Sequence, residues 1–172
     1  MSIGTILLLA LALIGGGWDI ATRRIPNWLT FPSMAAGLAW NFYANGWRGL
    51  GGSAAGLALG AGILLPFFLM GGTGAGDVKM LAGVGAITGW WGLLRIFIYF
   101  GIFGGLVAVA VAITAGRFGA VIKNTGHLAS LLTKARWKEA EQVESAAPPL
   151  PYGAVIAVGC LVFLWVSART PA

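Results

Sequence analysis

GLGGSAAGLALGAGILLPFFLMGGTGAGDVKM, residues 49–80, runs for 28 positions from Gly49 to Gly76 without an ionisable side chain and then sets Asp77 and Lys79 side by side with one valine between them. A helix needs roughly 20 apolar residues to cross the hydrocarbon of a bilayer. The stretch is long enough to do so, and its glycines suit helices that pack closely in lipid, where small residues let backbones approach. A carboxylate at the end of such a run is costly to keep ionised and is a functional candidate by default.

The rest of the chain repeats the pattern. Of 172 residues, 58% are hydrophobic and only 9% charged, against roughly 25% charged in a soluble domain. A soluble globular protein is excluded. Leaving His127 aside, the ionisable residues divide the chain into six long charge-free runs: Met1–Trp18, Ile25–Trp47, Gly49–Gly76, Met80–Leu94, Ile96–Gly116 and Ser145–Ala168. The expected fold is therefore all-α, a polytopic membrane protein of about six transmembrane helices forming one membrane-embedded domain over 1–172. The first run lacks the basic start and small-residue cleavage site of a signal peptide and reads as a helix. Residues 117–147 are the one sizeable extramembrane piece. Leu128, Leu131, Leu132 and Ala135 are spaced for one helix face among Lys134, Arg136 and Lys138, so this segment reads as a cytoplasmic loop or an amphipathic helix on the anionic inner leaflet.

Orientation follows from Lys and Arg, which concentrate in cytoplasmic connections. Arg23, Arg24, Lys79, Arg117, Lys123, Lys134, Arg136 and Lys138 fall on one side of a six-helix arrangement, and Arg48, Arg95 and Arg169 on the other. The richer side is expected to be cytoplasmic, with both termini outside. The net charge of +6 is thereby assigned to the membrane surface, and no nucleic-acid partner is expected.

Three of the five acids, Glu139, Glu141 and Glu144, lie in the polar segment. Asp19 and Asp77 are then the only carboxylates in the first 138 residues, and both belong to the cytoplasmic edge. Two carboxylates brought together at low dielectric share one proton. Such a pair suits water activation, one member accepting a proton while the other polarises a carbonyl. Simpler roles stand beside this one: Asp19 as a helix-end residue paired with Arg23, and Asp77 as the N-cap of the following helix. A small transporter with the two aspartates as a proton or cation site is the rival from another class, although transporters place their acids nearer the midplane. Gly72, Gly74 and Gly76 before Lys79 are in the wrong order for a phosphate-binding loop. Cys160 is the single cysteine, which excludes an intrachain disulfide and a cysteine-based zinc site. Neither cofactor nor metal is expected.

Gly74-Ala75-Gly76-Asp77, followed by Val78-Lys79-Met80, resembles the GxGD signature of the type IV prepilin peptidase and preflagellin peptidase family of membrane aspartyl proteases. Asp19 with Arg23-Arg24-Ile25-Pro26-Asn27 is similar to that family's first catalytic aspartate and its downstream basic segment. Pro151-Tyr152-Gly153 is similar to its proline-glycine motif in the last helix. The resemblance implies an inner-membrane endopeptidase that removes the short basic leader of pilin-like precursors at the cytoplasmic face. It carries the catalytic roles to Asp19 and Asp77, the shaping of the active-site loop to Gly74 and Gly76, and support to Lys79, Pro151 and Gly153. Larger members add an N-terminal region with paired Cys-x-x-Cys motifs linked to N-methylation. This chain starts at its first helix, so the expectation is the peptidase-only form, like those serving tight-adherence pili. The implied partners are a pilin-like precursor and the lipid bilayer, with self-association into homo-oligomers left open.

Overall fold

A computed structural model of the chain describes residues 2–69, 72–114 and 152–169. Every element among them is a helix: α1 (Ile3–Thr22), α2 (Asn27–Leu69), α3 (Ala75–Thr114) and α4 (Tyr152–Arg169). The 117–147 segment, His127 and Pro151 lie outside the described residues. All four helices are long and apolar enough to cross a membrane. Their outward side chains include Leu13, Ile20, Phe67, Leu69, Ile98 and Leu106, each more than half exposed, a surface that is tolerable only against lipid.

The expected six separate helices are therefore corrected to four, two of which are interrupted by a single glycine. At 43 and 40 residues, α2 and α3 would each be about 60 Å or more if straight, twice the hydrocarbon thickness. Each contains one non-helical residue, Gly46 (φ 60°, ψ −147°) in α2 and Gly89 (φ 71°, ψ 174°) in α3. These angles fall in a region open essentially to glycine alone. At Gly46 the chain turns back on itself. Asn41 Nδ2 donates to Ala86 O at 3.1 Å, and Ser53 Oγ donates to the same carbonyl, although a straight helix would hold residues 41 and 53 about 18 Å apart. Gly89 does the same for α3. Gly76 packs on Ile25, which packs on Gly153, while Gly104 lies against Val155 two residues further along α4. The expected connections at Arg48 and Arg95 are helical; the reversals happen within a single glycine, two and six residues earlier.

The first limb of α3 is the centre of the molecule. Met80 to Ile87 is buried at every position, enclosed by both limbs of α2 and by α1 and α4. Gly56 and Gly60 of α2, one turn apart, face the backbone of Gly85 and of Leu81 so closely that a Cβ at either would clash. The Gly89 break frees carbonyls in an apolar interior, where each must find a donor. Asn41 Nδ2 supplies Ala86 O and Ile87 O at 3.1 and 3.0 Å, and Ser53 adds a second bond to Ala86 O.

Candidate active site

The buried side of α1 is a stripe of Leu8, Leu11, Ala12, Gly15, Gly16 and Asp19 at helical spacing. Asp19 thus continues an apolar face and points its carboxylate into the bundle, where it is only 5% exposed. The helix stops one residue after Thr22, at Arg23 in the left-handed region (φ 52°), whose N–H donates to Asp19 O at 2.8 Å. Ile25 and Pro26 follow, and the Pro26 carbonyl starts α2 by accepting from the N–H groups of Leu29 and Thr30.

Asp77 is the third residue of α3, not its N-cap. Its Oδ2 accepts from the backbone N–H of Gly74 at 3.0 Å, and its own N–H donates back to Gly74 O at 3.1 Å. This is the returning half of a capping box, a third-position acid satisfying the N-terminal residue of its own helix. The absence of a Cβ at Gly74 permits the approach, since one would lie 3.2 Å from Asp77 Oδ2. Asp77 is 8% exposed.

The first turn of α4 joins the two acids. Ala154 N–H donates to Asp19 Oδ2 at 3.2 Å, and the backbone of the preceding residue, Gly153, acts electrostatically on the Asp77 carboxylate. The N-terminus of α4, where the helix dipole favours negative charge, thus lies beside both carboxylates. Asp19 and Asp77 interact with each other electrostatically, as do Asp77 and Tyr152. The structure therefore brings together two acids 58 positions apart in sequence. No group of three His, Cys, Asp or Glu side chains assembles among the described residues.

The other expected site residues divide. Gly74 shapes the Asp77 turn, Gly76 packs on Ile25, and Gly153 lies against both Ile25 and Asp19. Lys79 is directed elsewhere: Nζ donates to Asn27 Oδ1 at 2.9 Å and sits 5.2 Å from the centre of the Phe31 ring. It fastens α3 to the start of α2. Ala154 escapes sequence reading, and Tyr152 and the wedge-like Ile25 are legible there only as members of the two flanking motifs, with no role of their own. Thr73, one residue before the Gly74 turn, has a buried hydroxyl with no hydrogen-bond partner, the single such side-chain atom among the described residues.

No curated protein and no solved structure matches the chain. The model of the type IV leader peptidase family matches residues 6–109, a stretch that holds Asp19, Gly74, Gly76, Asp77 and Lys79 and covers more than half of the sequence. With four apolar helices around a pair of buried aspartates, this integral membrane protein belongs to the type IV leader peptidase family.

Proposed function

We propose that the chain is a membrane aspartyl endopeptidase that removes the basic leader of a pilin-like precursor, with Asp19 and Asp77 as its catalytic pair. The observation that carries this reading is the convergence of both carboxylates on the first turn of α4. One carboxylate takes a proton from a water molecule, and the water oxygen bonds to the scissile carbonyl carbon. The other, protonated, gives its proton to the carbonyl oxygen. Collapse of the resulting diol breaks the C–N bond, and the departing amine takes up a proton from the pair. The Ala154 amide holds Asp19 in place through this exchange, and the N-terminus of α4 stabilises whichever acid is charged.

The reversals at Gly46 and Gly89 support a six-crossing arrangement, with limbs 27–45 and 47–69 in α2 and 75–88 and 90–114 in α3. Aromatic residues mark both ends, as at membrane interfaces. Trp18 and Trp28 pack edge to face at 5.8 Å near Asp19. At the opposite end Phe42 meets Trp47, Arg95 stacks over Trp91, and Arg169 over Trp165. Arg23, Arg24 and Lys79 share the end that holds the carboxylates, which the positive-inside rule assigns to the cytoplasm. The leader's positive charge then remains in the cytosol beside the pair while the precursor's apolar helix stays in lipid.

Co-expression with a pilin-like precursor tests the assignment. Asp19→Asn and Asp77→Asn each keep the protein in the membrane and abolish leader removal. Normal processing by either variant refutes the catalytic pair.

A further inference from the structure

Ile25 occupies the connection between α1 and α2, between an exposed Arg24 and a half-buried Pro26, yet is only 8% exposed. Its side chain meets glycines from two other elements. A Cβ built on Gly153 falls 2.7 Å from Ile25 Cδ1 and 3.0 Å from Cβ and Cγ of Asp19. One built on Gly76 falls 3.0 Å from Ile25 Cβ and 3.2 Å from the Ile25 backbone N. Gly76 immediately precedes Asp77. Gly153 immediately precedes Ala154, whose amide holds Asp19. Ile25 therefore stands between the residues that deliver the two carboxylates, and both neighbours lack the side chain that would push it out.

We propose that Ile25 is a positioning residue that sets the separation of the Asp19 and Asp77 carboxylates by filling the notch between Gly76 and Gly153. The inference rests on the reading of these aspartates as the catalytic pair. Packing holds the spacing because an interior is close-packed and transmits a displacement instead of absorbing it. A shift of one methyl group at this notch moves the first turn of α4 against α3, and with it the amide that holds Asp19. Catalysis is sensitive to such shifts, since about 1 Å of misplacement costs on the order of a hundredfold in rate.

The two glycines make distinct demands. The contact at Gly153 involves Ile25 Cδ1, the atom that valine lacks. The contact at Gly76 involves Cβ and backbone, which valine keeps. Full-length protein in detergent, assayed for leader removal from a purified pilin-like precursor and normalised to the folded fraction, separates them. Gly153→Ala lowers kcat about tenfold or more with KM unchanged, and adding Ile25→Val restores the part of the loss due to Ile25 Cδ1, the 3.0 Å contact with Asp19 remaining. Gly76→Ala lowers kcat similarly, and Ile25→Val does not restore it. Ile25→Ala widens or narrows the pH profile of kcat, because the apparent ionisations belong to the pair and follow its spacing. A purely structural residue would change the amount of active enzyme and leave the profile's shape alone. The proposal is overturned if Ile25→Val rescues both glycine variants equally or neither, or if Ile25→Ala leaves the profile unchanged. Asp19→Asn and Asp77→Asn run in parallel: activity in either overturns the catalytic pair itself, whatever Ile25 does.

Discussion

Replacing Asn41 with leucine, a side chain of similar size and no polar atoms, removes the donor shared by Ala86 O and Ile87 O at the Gly89 break. Ala86 O keeps its bond from Ser53, whereas Ile87 O loses its side-chain donor. Hydrogen bonds between membrane helices are worth about 0.6 kcal/mol on average and up to about 1.7, so Asn41→Leu destabilises by about 1–2 kcal/mol. Ser53→Ala costs less, about 0.5 kcal/mol, because Asn41 still serves the same carbonyl. The double variant leaves Ala86 O with neither donor in an apolar interior, where an unpaired group costs about 1–3 kcal/mol. The loss should then exceed the sum of the singles by about 1 kcal/mol. Reversible unfolding by increasing SDS in mixed micelles, followed by tryptophan fluorescence, gives all three differences. Additivity within about 0.3 kcal/mol refutes the shared-carbonyl account. Ala86 is nine residues from Asp77 along the same limb, about 14 Å, so leader removal per folded molecule stays at the wild-type rate.

Gly89→Ala places a Cβ on a backbone that only glycine adopts comfortably and costs about 1–3 kcal/mol. Gly51→Ala, helical and with nothing within 4 Å of the added carbon, stays within about 0.5 kcal/mol of wild type, and equal melting temperatures for the two refute the hinge. Thr73→Val replaces an unpartnered buried hydroxyl with a methyl group and raises the stability of the substrate-free protein by about 1 kcal/mol. A lowered melting temperature would show that the hydroxyl is satisfied after all.

The two acids were legible in the sequence because charge is scarce: with three glutamates in one polar segment, Asp19 and Asp77 had no competitors in the first 138 residues. The helical phase of Asp19 was not legible: it lies at i+3 and i+4 from Gly16 and Gly15 on the stripe that runs inward, but a helix apolar nearly all round does not show which stripe that is. What failed was the use of Arg48 and Arg95 as connection markers. A long arginine on an outward-facing helix end reaches water from within a helix, so the charge lies near the boundary without forming it. The residues that do form it, Gly46 and Gly89, are two among 28 glycines, and no local pattern separates a glycine with positive φ from one that merely packs. The same limit concealed Ile25, whose importance comes from Gly76 and Gly153, 51 and 128 positions away.

The first limb of α3 spans 75–88, 14 residues and about 21 Å of rise, well short of the hydrocarbon thickness, and it carries Asp77 and Lys79 near its start. Such a segment is too short and too polar to partition into a bilayer on its own during synthesis. Paired with 90–114 through the Gly89 reversal, it lies in a space bounded by α1, both limbs of α2 and α4. In chain order the Asp77-bearing limb is thus fourth, after α1 and both limbs of α2, and α4 closes over it last. A chain released before α4 would leave Asp19 without the Ala154 amide and both acids without their last cover.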